Sequence, residues 1–454
     1  MMRATLQTPQ LRRILIAYTI NRLGTWFGYV ALSVAVFAHT HSALAVAALL
    51  VTGQALPAVL VPVLVARLET SSRRSILTAL YAFETVVTVG LAILLWHFWL
   101  PAILVLVALD GTAALAASAL LRAEVARVAA LGAEASTAAA ANGSEPERSD
   151  ALRSDAVKTA EREANAAMNV AFSITFVIGP ALAGVVVASA GGPAALLIDA
   201  ASFLICGLML LGLSPHVDGG AERGVRGRLQ EALAHVRDVP ALRLLLVAES
   251  IALVFFAADA SIEVPYAKAT LHAGDRGYGL LLTVWGIGAA IGSVAFARSL
   301  RRPIGMMLSL GTVAVGLAYV GFALAPSLAV ACIAGVVGGA GNGVQWASLI
   351  SAVQQLTPPS LHGRMMGVVE AMSALFPALG LALGGVLTAA TSTRTAFMTV
   401  GLGAMAMTVT FVRLAAASSL GQPRDPFDVG PREAAEEMRD AVLVEPVSVE
   451  RADL

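Results

Sequence analysis

Ionisable residues inside long apolar stretches are the side chains of this sequence best suited to chemistry. Arg22, Glu84, Asp110, Glu249 and Asp259 each lie among apolar neighbours. An ionisable group at membrane depth is costly unless it faces the protein interior or a water-filled cavity and has a partner. Burial also penalises the charged form of a carboxyl group, so such acids can exchange protons. These residues are therefore candidates for binding a substrate or protons, with Glu249 as the first choice of proton carrier.

Polar side chains recur with helical spacing in the first apolar stretch. Tyr18, Arg22, Thr25 and Tyr29 fall at i, i+4, i+7 and i+11, which places them on one face of a helix. Arg22 lies about 12 Å along the helix axis from the start of the stretch. Asp110 lies near the middle of a later stretch. A base and an acid on two buried helices predict an ion pair, which could fasten the helices or couple to substrate or protons.

Acidic residues also share a face in the stretch after residue 240. Glu249, Phe256 and Glu263 follow one another at intervals of about two helical turns, and Asp259 lies to one side. Glu249 is deep in the stretch, whereas Asp259 and Glu263 are close to its end. Ordinary solvation at the membrane surface is therefore an alternative role for the last two.

Two further groups have competing interpretations. Asn342, Gln345 and Trp346 share a helix face and either contact a ligand or pack between helices. Glu84 and Asp199 lie on helices expected at the periphery, so a structural role is favoured for both.

The composition indicates a membrane protein. Of the 454 residues, 57% are hydrophobic and 13% are charged, and the mean hydropathy is +0.78. Soluble domains carry about 25% charged residues, so this chain has too little polar surface to face water throughout. The net charge of zero gives no reason to expect nucleic acid. Cys206 and Cys332 lie in apolar segments, and neither a disulfide framework nor a metal site is predicted.

Apolar length predicts twelve membrane spans, since a span needs about 20 mostly apolar residues. The predicted spans are 14–37, 43–66, 75–97, 101–122, 164–188, 193–213, 241–264, 277–297, 304–325, 327–352, 366–390 and 395–415.

Basic residues set the predicted orientation, because cytoplasmic loops are rich in Lys and Arg. With the N-terminus inside, the outer loops hold only Lys268, Arg276 and Arg394, and all other basic clusters are inside. Both termini are therefore predicted to be cytoplasmic.

The same spans divide the chain into four regions. These are an N-terminal six-helix bundle (1–213) that carries a cytoplasmic insert (127–163), a cytoplasmic linker (214–240), a C-terminal six-helix bundle (241–415) and an acidic cytoplasmic tail (416–454). The composition of the insert predicts a disordered or loosely helical segment.

Sequence elements repeat weakly between the two halves. Span five contains GPALAG at 179–184, and span eleven contains FPALG at 376–380 followed by Gly384 and Gly385. Basic residues also follow both span two and span eight. Repeated halves with a binding site between them are a transporter architecture.

With these features the sequence resembles the major facilitator superfamily. The segment VARLETSSRR is similar to the family's loop motif after span two. Glu69 takes its acidic position and Arg73 and Arg74 its basic pair, while Val65 and Ser72 replace its two glycines. We expect Arg73 and Arg74 to act mainly as cytoplasmic topology determinants and secondarily to gate the protein by pairing with helix ends or with Glu69.

Two more segments resemble exporters of that family. IGPALAG is similar to the exporter motif and supplies Gly179, Pro180 and Gly184. LDGTAALAASALL is similar to the drug-exporter pattern around Gly111, although Val107 stands where that pattern has arginine. The opening spans most resemble the bacterial subgroup of siderophore exporters, macrolide exporters and lysophospholipid carriers.

The resemblance implies an all-α membrane protein with twelve transmembrane helices in two pseudo-symmetric six-helix bundles. It also implies that spans one, four, seven and ten line a central cavity, and each of these carries polar residues. No nucleotide-binding loop, GxSxG or HExxH sequence is present, so we expect neither an enzyme nor a cofactor. Either an ion gradient then supplies the energy or transport is downhill, and the buried acids favour protons over sodium as the coupling ion.

The expected function is proton-coupled export of a small amphipathic or apolar compound, such as a drug, siderophore or secreted metabolite, by a monomer in the plasma (cell inner) membrane. Its expected partners are the substrate, protons and the lipid bilayer, without nucleic acid. One alternative is an importer or lysophospholipid carrier of the same fold. Another is a transporter-like sensor or assembly factor whose partners bind the insert or tail.

Overall fold

A computed structural model of the chain describes residues 8–69, 76–140, 146–211, 225–299, 302–358 and 361–417. Every regular element in these ranges is a helix. The helices are α1 (Pro9–Thr40), α2 (Ala43–Glu69), α3 (Ile76–Trp96), α4 (Leu100–Ala140), α5 (Pro146–Met209), α6 (Val225–Asp238), α7 (Pro240–Ala257), α8 (Asp259–Pro265), α9 (Gly274–Arg298), α10 (Ile304–Leu324), α11 (Leu328–Gln355), α12 (His362–Ala390) and α13 (Thr393–Ala417). A π-helical turn (Tyr266–Thr270) follows α8.

The membrane spans are consistent with the predicted twelve. Within the described ranges, 10 helical stretches are apolar and long enough to cross a bilayer. One of these, residues 170–209 of α5, reverses direction at Gly191, whose φ of 85° is readily adopted by glycine, so it contains two spans. The 27-residue α2 supplies the remaining span. The all-helical membrane architecture predicted from the sequence is thus confirmed.

The connections between spans differ at the two ends of the molecule. Six connections are short, at residues 41–42, 97–99, 191, 271–273, 325–327 and 391–392. Because consecutive spans run in opposite directions, alternate connections lie at the same end, and these six define what we call the short-turn end. The opposite end carries the α4–α5 extensions and the chain between α5 and α7, and we call it the linker end.

The spans pack as two bundles. In the first, α1 and α3 pack on α5, and α2 packs on α4. In the second, α10 packs on α11 and α13, α9 on α11, and α12 on α7. The bundles meet along two helix pairs, α5 with α9 and α2 with α12.

Glycines let paired helices approach closely in the second bundle. An added Cβ on Gly288 would collide with Val336 O, and one on Gly339 would collide with Trp285 O. Small residues at such positions allow the backbones of membrane helices to touch. The α9–α11 pair is therefore a close-packed seam.

Part of the insert is helical, which is one of the two forms that its composition predicts. Helix α4 continues through the first part of the insert to Ala140, and α5 begins at Pro146. Val125 and Val128 of the α4 extension pack in one apolar cluster with Leu11 and Ile14 of α1. This packing stabilises the extension as a helix.

The linker contains α6, which is docked on the second bundle. His235 Nε2 lies 3.1 Å from Leu356 O, and Arg364 forms an ion pair with Glu231. Most of the predicted acidic tail, residues 418–454, lies outside the described residues.

Candidate functional site

A cavity of about 760 Å³ lies between the bundles and is lined mainly by the first bundle. Helices α1 to α5 form most of its wall, and α8, α9 and α12 complete it. The large aromatic side chains on its surface come from four helices; they are Tyr18, Trp26, Tyr29, Tyr81, Phe172, Phe176, Phe203 and Trp285. Trp26 meets Phe176 edge to face at 5.2 Å between ring centroids, so these rings form a continuous apolar wall.

The polar stripe predicted on α1 lies on the cavity wall. Tyr18, Arg22, Thr25 and Tyr29 all line it. Asp110 also lines it, from α4. Helical periodicity is sufficient to place these side chains on one face, because α1 is regular over its whole length.

Three acids of the first bundle meet at the cavity. Glu84 of α3 is only 1% exposed and Asp199 of α5 only 5% exposed, and both lie within electrostatic reach of Asp110. Thr88 Oγ1 donates a hydrogen bond to Asp110 Oδ1 over 3.3 Å. In the described part of the chain, Glu84 Oε2 and Asp199 Oδ1 have no hydrogen-bond partner. The peripheral placement expected for Glu84 and Asp199 is wrong, since α3 and the second limb of α5 both reach the cavity. We call Glu84, Asp110 and Asp199 the acid cluster.

Two glycines of α1 make room for Asp199. A Cβ on Gly28 would collide with Asp199 Oδ2, and one on Gly24 would collide with Ser202 Oγ. Gly24 and Gly28 are four residues apart, the spacing that permits close helix contact. This spacing was the sequence signal that could have placed Asp199 beside α1.

The predicted ion pair between Arg22 and Asp110 is not formed. Among the described residues, the ion pairs do not include these two. The Arg22 guanidinium instead lies 5.1 Å from the centroid of Phe172 and 6.0 Å from that of Tyr18. A guanidinium is attracted to aromatic faces. That arrangement, with Asp110 bonded to Thr88, separates the two charges.

Glu249 lies in the interior of the second bundle, and it is not among the residues that line the cavity. Its side chain is fully buried, and Gln345 Nε2 donates to Oε1 over 2.6 Å and to Oε2 over 2.7 Å. The sequence singled out both residues but not their contact, which joins α7 to α11.

The remaining polar residues predicted on α11 do not reach the cavity either. Asn342 is partly buried, and Trp346 is 40% exposed. Neither is among the lining residues. The expectation that span ten contributes a polar face to this cavity is therefore wrong.

Asp259 and Glu263 lie at the short-turn end of the cavity. Both line it, and Glu263 is 3% exposed. Helix α7 ends at Ala257 and α8 begins at Asp259, so the acids occupy the first turns of a new helical segment. The alternative that they are solvated at the membrane surface is wrong for Glu263, because the second bundle folds over it.

The residues of the exporter-like segment lie where the bundles meet. A Cβ on Gly179 would collide with Trp26, and one on Gly184 would lie 3.0 Å from Gly279 Cα. Pro180 lies within α5 between them. Gly385 of α12 likewise lies against Ala43 of α2. The contacts at Gly184 and Gly385 close the cavity at the short-turn end.

The predicted gating loop is only partly visible. Glu69 is the last residue of α2. Arg73 and Arg74 lie outside the described residues. In the part of the chain that the structure describes, no group of three or more His, Cys, Asp or Glu residues could hold a metal ion.

Comparison with known proteins indicates the family. The fold matches the crystal structure of the nucleoside transporter NupG with a TM-score of 0.67 and 14% identity, over 89% of this chain and 99% of that one. Residues 250–448 match the model of the Major Facilitator Superfamily. The match covers 199 of the 454 residues, so similarity to this superfamily is shown for the C-terminal half of the chain. The resemblance identified from the sequence is thereby confirmed, and so is the assignment to a class of transporters rather than enzymes.

Two curated relatives of the chain are multidrug efflux pumps. The multidrug efflux pump Tap of Mycolicibacterium fortuitum is 25% identical over 259 residues, which is 55% of this chain and 63% of the pump. Tap of Mycobacterium tuberculosis is 25% identical over 262 residues, which is 56% of this chain and 62% of the pump. The chain thus matches somewhat less than two thirds of the length of each.

Proposed function

We propose that this protein exports small amphipathic or apolar compounds from the cytoplasm in exchange for protons. The observation that carries the proposal is one cavity in which a broad aromatic wall faces a cluster of buried carboxyl groups. The similarity to Tap pumps supports efflux of drug-like compounds.

The cavity suits a drug-sized cargo. Its volume of about 760 Å³ falls within the range of about 300–1,000 Å³ that is usual for small-molecule sites. Such sites combine apolar and aromatic surface with a few polar groups that fix orientation. Trp26, Phe172 and Phe176 supply the apolar surface, and the acid cluster and Arg22 supply the polar groups.

The acid cluster is proposed as the proton site. Three carboxylates close together in a poorly solvated region repel one another, and one guanidinium compensates for a single charge at most. The number of protons on the cluster therefore depends on what else occupies the cavity. Cargo binding and proton binding then compete, which is the thermodynamic requirement for exchange. Glu249, which has no cavity surface, is proposed to join α7 to α11 rather than to carry the transported proton.

Movement between two states would carry cargo across the membrane. The distribution of basic residues favours a cytoplasmic linker end and cytoplasmic termini. In that orientation, the contact between the bundles at the short-turn end would correspond to a state closed toward the outside. Rocking of one bundle against the other would expose the cavity to that side.

The test is transport by the purified protein in lipid vesicles. A fluorescent amphipathic dye is expected to move against its gradient when protons flow the other way, and a protonophore is expected to stop it. Dye movement that ignores the proton gradient would refute coupling. Inward movement of the dye, or flipping of lysophospholipid, would identify the importer or lipid carrier. Absence of all transport by folded protein would favour the sensor or assembly factor.

A further inference from the structure

Polar side chains from both bundles meet where the cavity is closed. Tyr29 and Ser33 come from α1 of the first bundle, Asp259 and Glu263 from α8, and Tyr278 from α9 of the second. The hydroxyl of Tyr278 faces Tyr29, Ser33 and Glu263. We call these five residues the gate cluster.

Hydrogen bonding in the gate cluster is incomplete. Tyr278 and Ser33 are fully buried, yet neither Tyr278 Oη nor Ser33 Oγ makes a hydrogen bond of regular geometry in the described part of the chain. Buried hydroxyls normally find a partner, because an unpaired one costs about 1–3 kcal/mol. The cluster therefore lacks a donor or acceptor, and both hydroxyls point at the neighbouring acids or at each other.

Compensating positive charge is also absent among the described residues around the pair. The titratable groups that face Asp259 and Glu263 are Tyr29 from α1, Tyr278 from α9 and Tyr319 from α10. Of the other helices packed on α8, α2 and α12 present no titratable group at this end.

The basic residues at this end are occupied elsewhere. Lys268 Nζ lies 2.6 Å from Asp275 Oδ1. Arg394 of α13 donates to Ala323 O over 2.7 Å and to Ala325 O over 2.8 Å. Arg276 is exposed. The acid pair thus faces hydroxyl groups alone.

We propose that Asp259 and Glu263 form a proton-binding pair that controls closure of the short-turn end. The two residues are one helical turn apart, so their Cβ atoms lie about 5–6 Å from each other, and two charges would be close together in a dry interface. Ionisation of both therefore destabilises the closed state. A proton on Glu263 removes one charge and supplies the donor that the Tyr278 hydroxyl lacks. The closed state thus binds the proton more tightly than the open state.

The pair gives the exchange cycle its direction, and in this respect the inference rests on the proposed function. A proton arriving from the outside closes the short-turn end. It is released after the cavity opens at the linker end, and cargo then binds. The deprotonated pair opens the short-turn end again, so the bundles return with cargo instead of a proton.

A distance measurement tests the gate without requiring transport. Cys206 and Cys332 are first replaced by Ser. Spin labels are then attached at His97→Cys in the first bundle and at Ser392→Cys in the second, both of which lie in short turns. In vesicles without cargo or sodium, the label distance is expected to lengthen as pH rises. A distance unchanged from acid to alkaline pH would overturn the proposal, and so would closure driven by sodium at constant pH.

The neutral variant Asp259→Asn/Glu263→Gln assigns the effect. It is expected to lose the lengthening with pH and to stay closed, whereas the control Glu249→Gln keeps the full response. Tyr278→Phe, which retains the ring, provides a second test because it should lower the closed fraction at acid pH. A full pH response in the double variant would refute the proton-binding pair. If the double variant does not fold, an unchanged closed fraction at acid pH in Tyr278→Phe would refute it instead.

The two proposals can fail separately. A gate that responds to protons through Asp259 and Glu263 without dye transport would refute the proposed export and retain the gate. Proton-driven dye export with a gate that does not respond to pH would do the opposite.

Discussion

Gly28 lies where α1 passes the carboxylate of Asp199, and no space remains for a side chain. We expect Gly28→Ala to displace that carboxylate and to lower the free energy of unfolding by about 1–3 kcal/mol, as overpacking usually does. Because Asp199 belongs to the acid cluster, proton-driven export should fall as well. Thermal unfolding in detergent and dye export in vesicles measure the two effects.

The control for this change is Gly367→Ala in α12, where an added Cβ meets no atom within 4 Å. Stability and export should both be unaffected there. Full export and unchanged unfolding in Gly28→Ala would show that α1 and α5 are not packed as described.

The variant Asp110→Asn distinguishes a proton site in the acid cluster from one at Glu249. The amide oxygen can still accept a hydrogen bond from Thr88, but the amide carries no titratable proton. Gradient-driven export should therefore be lost while the dye still binds. Glu249→Gln should retain both export and dye binding, because Glu249 has no cavity surface. Dye binding by fluorescence and export in vesicles provide the measurements.

The opposite pattern, with export lost in Glu249→Gln and retained in Asp110→Asn, would assign the transported proton to Glu249 in the second bundle. Equal loss in both variants with poor folding would indicate a structural role for both acids. Melting temperatures distinguish this result from a loss of coupling.

The sequence identified most of the important side chains but few of their partners. Arg22 and Asp110 were found because charge in an apolar stretch is conspicuous, yet their pairing was predicted wrongly. Pairing depends on side-chain rotamers and on the rotation of neighbouring helices. In the structure the Arg22 guanidinium lies 5.1 Å from the centroid of the Phe172 ring. The Glu249–Gln345 bond was missed for the same reason, although both residues were named.

At the scale of helices, the α9–α11 seam should be sensitive to single methyl groups. Gly339→Ala places a Cβ against Trp285 O, a backbone atom that cannot move without shifting α9. We expect a loss of about 1–3 kcal/mol in stability and a lower melting temperature. The number of protons exchanged per dye should not change, because the seam touches no residue of the acid cluster.

Gly90→Ala in α3 is the matched control, since its Cβ would lie 3.4 Å from Leu106 Cδ1, an ordinary contact distance. Its melting temperature should stay near that of the unmodified protein. Equal destabilisation in both variants would mean that the close approach at the seam is not the cause of the loss, because Gly→Ala by itself favours a helix.

Helix positions followed from apolar length, and interruptions within helices did not. The predicted spans agree with the helices because about 20 apolar residues are needed to cross a bilayer. The break between Ala257 and Asp259 was missed, since Ala258 carries no breaker signal. The packing of the α4 extension was also missed, because it depends on Leu11 and Ile14, which are distant in sequence.

At the scale of the whole molecule, orientation can be tested with single cysteines. His97→Cys at the short-turn end should react with a membrane-impermeant maleimide added outside intact cells. Arg302→Cys at the linker end should react only after the membrane is opened. The reverse pattern would place the termini outside and would contradict the distribution of basic residues.

The sequence did not show that the two bundles contribute unequally to the cavity. The repeat in the two halves suggested equal contributions, and polar residues were found on spans of both. In the structure, the first bundle supplies most of the cavity wall, and Glu249 and Gln345 satisfy each other inside the second. Sequence periodicity assigns a residue to a helix face, but which faces enclose a cavity depends on packing across the whole molecule.

The turn at Gly191 has a consequence for biosynthesis. It joins two spans with almost no chain between them, and Gly192 and Pro193 follow directly. Such a pair offers the insertion machinery no polar loop to pass across the bilayer after the first span is in place. The two limbs must therefore enter the membrane together, as a preformed helical hairpin. Asp199 would then enter the lipid before the protein fully buries it. Helix α1 is synthesised earlier, and its Gly24 and Gly28 leave room for Asp199 to pack against it as the hairpin inserts.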